Sequence, residues 1–137
     1  MRASEVMIRD PVVAAAGATS AEVATLMRMK DISVVPVVDN PKDRRYLGTI
    51  SDRDIVTRCV ANGHDPSDCP VETHLRQDTA VVAPETELKG YKLTKPADEH
   101  DSHVRATIVV VDKDRRVVGF IPHPEDVAGI VGAQGGA

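Results

Sequence analysis

The sequence predicts an α/β protein made of two pseudo-symmetric copies of one β-α-β-β-α unit, and three observations carry that expectation. The stretch Val37-Val38-Asp39, followed by Asp43-Arg44-Arg45-Tyr46-Leu47-Gly48, recurs as Val110-Val111-Asp112, followed by Asp114-Arg115-Arg116-Val117-Val118-Gly119. The offset falls from 73 residues (112 − 39) to 71 (119 − 48), which a turn two residues shorter in the second copy absorbs. Each copy reads as an apolar strand, a charged turn and a second strand ending at glycine. Finally, the chain has 137 residues. Half of it, about 65 residues, would bury only about 60% of the surface its unfolded chain exposes, so the copies need each other.

The elements follow in order. A turn at Asp10 and Pro11 precedes a short strand around Val12 and Val13. Thr19-Ser20-Ala21-Glu22 opens a helix with a hydroxyl cap and an acid in the first turn, and Val23, Leu26 and Met27 share one face at i, i+3, i+4. After the first hairpin, Asp52 to Ala61 reads as a helix with the apolar stripe Ile55, Val56, Cys59 and Val60, stopped by Asn62-Gly63. The second copy offers a short strand at Val81 and Val82, a weak middle helix around Leu88 to Leu93 ended by Pro96, and a polar loop from Ala97 to His103. A strand from Thr107 to Val111 and a closing helix from Glu125 to Val131 complete it.

Composition excludes several function classes. Lys plus Arg number 17 and Asp plus Glu 21, a net charge of −4, so no basic surface offers itself to nucleic acid or anionic lipid. Aromatic residues make up 2% of a chain that is 42% hydrophobic, which leaves a core of Val, Ile, Leu, Ala and Met and no base-stacking platform. No apolar run approaches a membrane span and the start carries no signal-peptide pattern, so the expected location is cytoplasmic, with no membrane partner. Cys59 and Cys69 are too few for a disulfide framework and are expected as thiols.

The chemistry concentrates at Gly48-Thr49-Ile50-Ser51-Asp52-Arg53-Asp54. Gly48 lets a ligand or a backbone come close, Ile50 is apolar, and Ser51 stands where a helix begins, with unpaired N–H groups that favour a phosphate. Arg53 adds a charged donor. Asp54, three residues on, is a carboxylate suited to two ribose hydroxyls. Ser51 and Asp54 also fit a capping box, in which they satisfy only backbone donors. The ligand reading, as an open site, requires both side chains to face a groove, and finding them buried or turned away from any groove ends it. The acids and serines offer no nucleophile–base spacing, so no enzyme activity is expected. His64, Cys69 and His74, and separately His100 and His103 beside Asp98, Glu99 and Asp101, are metal-ligand types, but no spacing among them is a recognised zinc arrangement. The expected metal is none, and His64, Cys69 and His74 remain the candidates; Cys59, on an apolar stripe, reads as core or interface.

A duplicated unit whose strand ends in Gly-x-apolar-Ser/Thr-x-x-Asp resembles the CBS domain in its tandem form, the Bateman module. Asp31-Ile32-Ser33-Val34-Val35-Pro36-Val37-Val38-Asp39 is similar to that family's second-strand pattern. Asp52-Arg53-Asp54-Ile55-Val56 with Ala61-Asn62-Gly63-His64-Asp65-Pro66 is similar to stand-alone pairs of the mycobacterial hypoxic response type. The resemblance implies two repeats packed through their sheets as one pair: repeat 1 over 1-63, a linker and lead-in helix over 64-78, a diverged repeat 2 over 79-132, and a flexible tail over 133-137. It implies regulation without catalysis or a required cofactor, an adenine nucleotide (AMP, ADP or ATP class) serving as regulatory ligand in the cleft between repeats. Ser51 and Asp54 would hold ribose and phosphate, with Gly48 and Arg53 beside them and Ile50, Ile32, Val12 or Val13 flanking the base. In the second copy Pro122 and Glu125 replace the hydroxyl and the acid, which implies a degenerate site. The expected partners are the adenosyl ligand, a second copy of the chain and an unidentified regulated protein. The competing expectations are a ligand-independent homodimeric scaffold, built on the closing-helix stripes including Val127, Ala128, Ile130 and Val131, and a metal- or redox-responsive protein.

Overall fold

Both hairpins form where the repeat puts them, for reasons local to each turn. The computed structural model describes residues 1–88 and 107–121. Strand β3 (Val34–Val38) pairs antiparallel with β4 (Tyr46–Ser51), and β6 (Ile108–Val111) with β7 (Val117–Ile121). An aspartate opens each turn and accepts backbone N–H groups. Asp39 Oδ1 accepts from Asn40 at 2.7 Å and Arg45 at 3.0 Å; Asp112 Oδ1 accepts from Asp114 and Arg116 at 2.9 Å each. Each turn also places an arginine in the left-handed region, Arg44 at φ 57° and Arg115 at φ 64°. The pairing then slips at the same place in both copies: Val38 faces Tyr46 and Val111 faces Val117, so Leu47 and Val118 are passed over. A shared bulge and a shared left-handed residue establish the repeat at the level of backbone geometry.

The chain divides into two units, Val12–Gln77 and a second made of Met1–Pro11 with the chain from Asp78 onward. In the Val12–Gln77 unit the sheet order is β2-β3-β4, with β2 (Ala14–Ala15) parallel to β3. Helix α2 (Ser20–Lys30) is capped by the Thr19 hydroxyl, which accepts from Glu22 N at 3.1 Å. It buries Val23 and Met27 against Val35, Val37 and Ile50. In the other unit the order is β1-β7-β6-β5, with β5 (Ala80–Val82) parallel to β6 and β1 (Ile8–Arg9) antiparallel to β7. Helix α1 (Ala3–Val6) joins that unit through Ala3, which packs with Ile108, Val110 and Ile121.

Three expectations need correction. The short strand is Ala14–Ala15 rather than Val12 and Val13, because those two alanines lie opposite Val37 and Val38 while Val12 packs against the core. The compact units also do not coincide with the expected repeats. Residues 1–11, expected in repeat 1, pair with β7 through Ile8 opposite Phe120 and Arg9 opposite Gly119. Residues 64–77, expected as a linker, close the Val12–Gln77 unit: Arg76 and Thr49 exchange backbone hydrogen bonds at 2.8 and 3.1 Å beside β4. Each lead-in segment thus adds an edge to the hairpin of the other copy. The helix expected from Asp52 to Ala61 is one α-turn, α3 (Asp52–Asp54), continued by a π-helical segment, Ile55–Val60. It buries Ile55 and Cys59 but leaves Val56 59% and Val60 52% exposed, so half of the expected stripe faces outward.

The expected middle helix beyond Leu88, the loop Ala97 to His103 with its histidines and acids, the Pro122 and Glu125 replacements, the closing helix and the tail lie outside the described residues. No helix among the described residues is long and apolar enough to cross a membrane.

Candidate functional site

The junction of β4 and α3 is held by a reciprocal cap. Ser51 Oγ accepts from Asp54 N at 3.1 Å, and Asp54 Oδ2 accepts from Ser51 N and Ser51 Oγ at 2.9 Å each. The second carboxylate oxygen is engaged by a residue absent from the sequence expectations: Arg76 Nε donates to Asp54 Oδ1 at 2.9 Å. Arg58 Nε lies 3.6 Å from the same oxygen, and its Nη1 donates to the carbonyls of His74 and Leu75 at 3.4 Å each. Asp54 is therefore the point at which the lead-in segment is tied to the helix. Its side chain is fully buried, and Arg76 is 12% exposed.

Ser51, at 2% exposure, and Asp54, at 0%, are buried, which overturns the expectation of a pair standing open in a groove. The capping-box alternative describes them, with an ion pair added. A buried carboxylate is tolerated because a cation and three hydrogen bonds compensate its desolvation. The neighbours expected around a base are also committed elsewhere: Ile50 is fully buried in the unit's core, and Ile32 and Val12 pack partly buried against it. Val13 is partly buried and Arg53 exposed. Gly48 serves a backbone crossing, since a Cβ there would sit 2.8 Å from the Arg76 carbonyl oxygen.

A second constellation lies in the same unit. Cys59, at the end of the π-helical segment, Cys69, after the 3-10 turn Pro66–Asp68, and His74, ending the 3-10 turn Val71–His74, are all buried. One ligand atom from each lies within 4.8 Å of the others. Cys69 Sγ is 2.8 Å from His74 Nε2 and 3.8 Å from His64 Nδ1, and the two imidazoles stack with centroids 5.6 Å apart. Burial pushes the Cys59 thiol above its ordinary pKa, an effect that its hydrogen bond with Ser20 opposes. Burial pushes the His74 ring below its ordinary value, with His64 and Arg58 adding to the effect and Asp54 opposing it, so the ring is neutral near pH 7. The sequence expectations named His64, Cys69 and His74 and gave Cys59 to core or interface; it is core, and it also stands beside Cys69 and His74. The signal that finds all four is their even step, Cys59-x4-His64-x4-Cys69-x4-His74.

Comparison with known proteins adds a family match. Residues 3–61 match the CBS domain family. Hypoxic response protein I, whose crystal structure holds two coordinated zinc ions, is 22% identical; the similarity covers 95% of this chain and 98% of that one, with a TM-score of 0.73. The CBS domain protein PAE2072 from Pyrobaculum aerophilum, complexed with AMP, is 28% identical over 89% of this chain and 87% of that one, with a TM-score of 0.67. A curated homoserine O-acetyltransferase from Methanohalobium evestigatum is 26% identical over 128 residues; the match takes in 93% of this chain but 24% of that enzyme's length.

Proposed function

We propose that this chain, whose residues 3–61 match the CBS domain family, is a regulatory module of that family that acts without catalysis, through an Asp54 carboxylate that is closed off in the described state. Arg76 holds that carboxylate in the described state; an adenosine-containing ligand of the AMP, ADP or ATP class binds by taking Arg76's place. The observation that carries the reading is the 2.9 Å contact between Arg76 Nε and Asp54 Oδ1. Three further facts support it: Ser51 and Asp54 stand at the hydroxyl and acid positions of the motif, Arg76 comes from a segment outside that motif, and a 28% identical relative carries AMP. A ligand shifts such an equilibrium only by its preference for the released state, and its apparent affinity falls by the fraction of chains already released.

Calorimetric titration of AMP, ADP and ATP into wild type, Asp54→Asn and Arg76→Gln tests this. Wild type binds one of the three, Asp54→Asn binds it about ten- to a hundredfold more weakly through loss of a charge-assisted contact, and Arg76→Gln binds it more tightly. The absence of heat from all three nucleotides with both wild type and folded Arg76→Gln overturns the ligand reading.

The alternative, a ligand-independent homodimeric scaffold, is favoured by Val56 and Val60, two exposed valines one turn apart. Light scattering separates the two. A dimer that forms without nucleotide, is unchanged by it and is lost in Val60→Glu supports the scaffold.

A further inference from the structure

We infer that Cys59, Cys69 and His74, with His64 as the fourth ligand, form a binding site for one zinc-like divalent cation. The inference stands apart from the nucleotide reading and shares no ligand residue with it. Two thiols and two imidazoles are a donor set that zinc takes, four-coordinate, in structural sites. Bond lengths of about 2.3 Å to sulfur and 2.0–2.1 Å to nitrogen put neighbouring tetrahedral ligand atoms roughly 3.5–3.8 Å apart. The cluster brackets that spacing: Cys69 Sγ to His74 Nε2 is 2.8 Å, Cys69 Sγ to His64 Nδ1 is 3.8 Å, and the three buried ligand atoms lie within 4.8 Å of one another. Seating a cation requires Cys69 Sγ and His74 Nε2 to part by roughly 0.7 Å.

The placement fits a staple. Three of the four donors come from segments with little helical or strand structure to hold them: a turn at His64 and two 3-10 turns ending near Cys69 and His74. The fourth, Cys59, is fixed on the helical segment that Asp54 begins. A metal joins the loop to that segment, and its binding energy becomes folding energy for a small unit. Two thiolates cancel the charge of a divalent cation, so the loaded site presents no net charge to Arg58 nearby. Soft sulfur ligands select zinc over magnesium or calcium. His64 is exposed, which leaves its ring free to turn onto the metal and makes it the site's open side.

Protein purified under reducing conditions without a histidine tag provides the test. Elemental analysis should find about one zinc per chain, and cobalt replacement should give thiolate-to-metal charge transfer with the intense visible bands of tetrahedral cobalt. Cys69→Ser should lose both, and His64→Ala should weaken zinc roughly tenfold or more in a chelator competition. Wild type that takes up neither zinc nor cobalt overturns the proposal, as does Cys69→Ser with unchanged zinc, or mass spectrometry finding Cys59 joined to Cys69 in metal-free protein. If Cys69→Ser does not fold, the cobalt spectrum and chelator competition of wild type decide the matter alone.

Discussion

Replacing Asp54 with alanine lowers stability by about 3–5 kcal/mol, the range for removing one partner of a buried ion pair. The carboxylate accepts from Ser51 N, Ser51 Oγ and Arg76 Nε, all at 2.9 Å, and no part of it reaches water. Alanine leaves Arg76, itself 12% exposed, facing an empty position, and removes a helix cap worth about 1 kcal/mol on its own. Arg58, at 42% exposure, turns to solvent at little cost. Urea denaturation measures the loss, and the double variant Asp54→Ala/Arg76→Met should recover part of it, because removing both charges leaves neither uncompensated. A single variant within 1 kcal/mol of wild type would show that the pair is not formed in solution. This size of effect is also why binding studies need Asp54→Asn rather than alanine: a nucleotide titration of a partly unfolded variant reports folding.

Adding a chelator to zinc-loaded protein lowers its melting temperature by about 15–30 °C. Free zinc at a thousandfold above the dissociation constant contributes about 4 kcal/mol, and each kcal/mol moves the midpoint of a domain of 60–100 residues by about 4–8 °C. Scanning calorimetry with and without chelator measures the shift, which should vanish in Cys59→Ser. Superimposable wild-type scans under the two conditions would refute the staple.

The hairpins were legible because their determinants are adjacent in sequence: Asp39 and Asp112 organise turns a few residues away, and Gly48 and Gly119 mark the strands that follow. The short strand was displaced because Val12 and Val13 have the better strand propensity, whereas Ala14 and Ala15 have the partners, Val37 and Val38, more than twenty residues on. Propensity is local and pairing is not. The cap formed by Ser51 and Asp54 was legible from their spacing. Their burial was hidden because it depends on Arg76, 22 residues beyond Asp54, in a stretch whose polar composition reads as linker. The same misreading hid the convergence of Cys59 with Cys69 and His74. Cys59 is core, as its apolar stripe suggests; what the stripe cannot show is the loop that brings Cys69 and His74 to it.

The exchange of lead-in segments carries a consequence for how this polypeptide can be cut. A fragment ending at Gly63 follows the apparent repeat but strips β4 of the main-chain partner that Arg76 supplies to Thr49, leaving bare amide groups that invite strand swapping between molecules. A fragment from Val12 to Gln77 keeps that partner in place, so the unit that evolution could shuffle or an engineer excise begins and ends eleven or more residues away from where the repetition in the sequence would put the scissors.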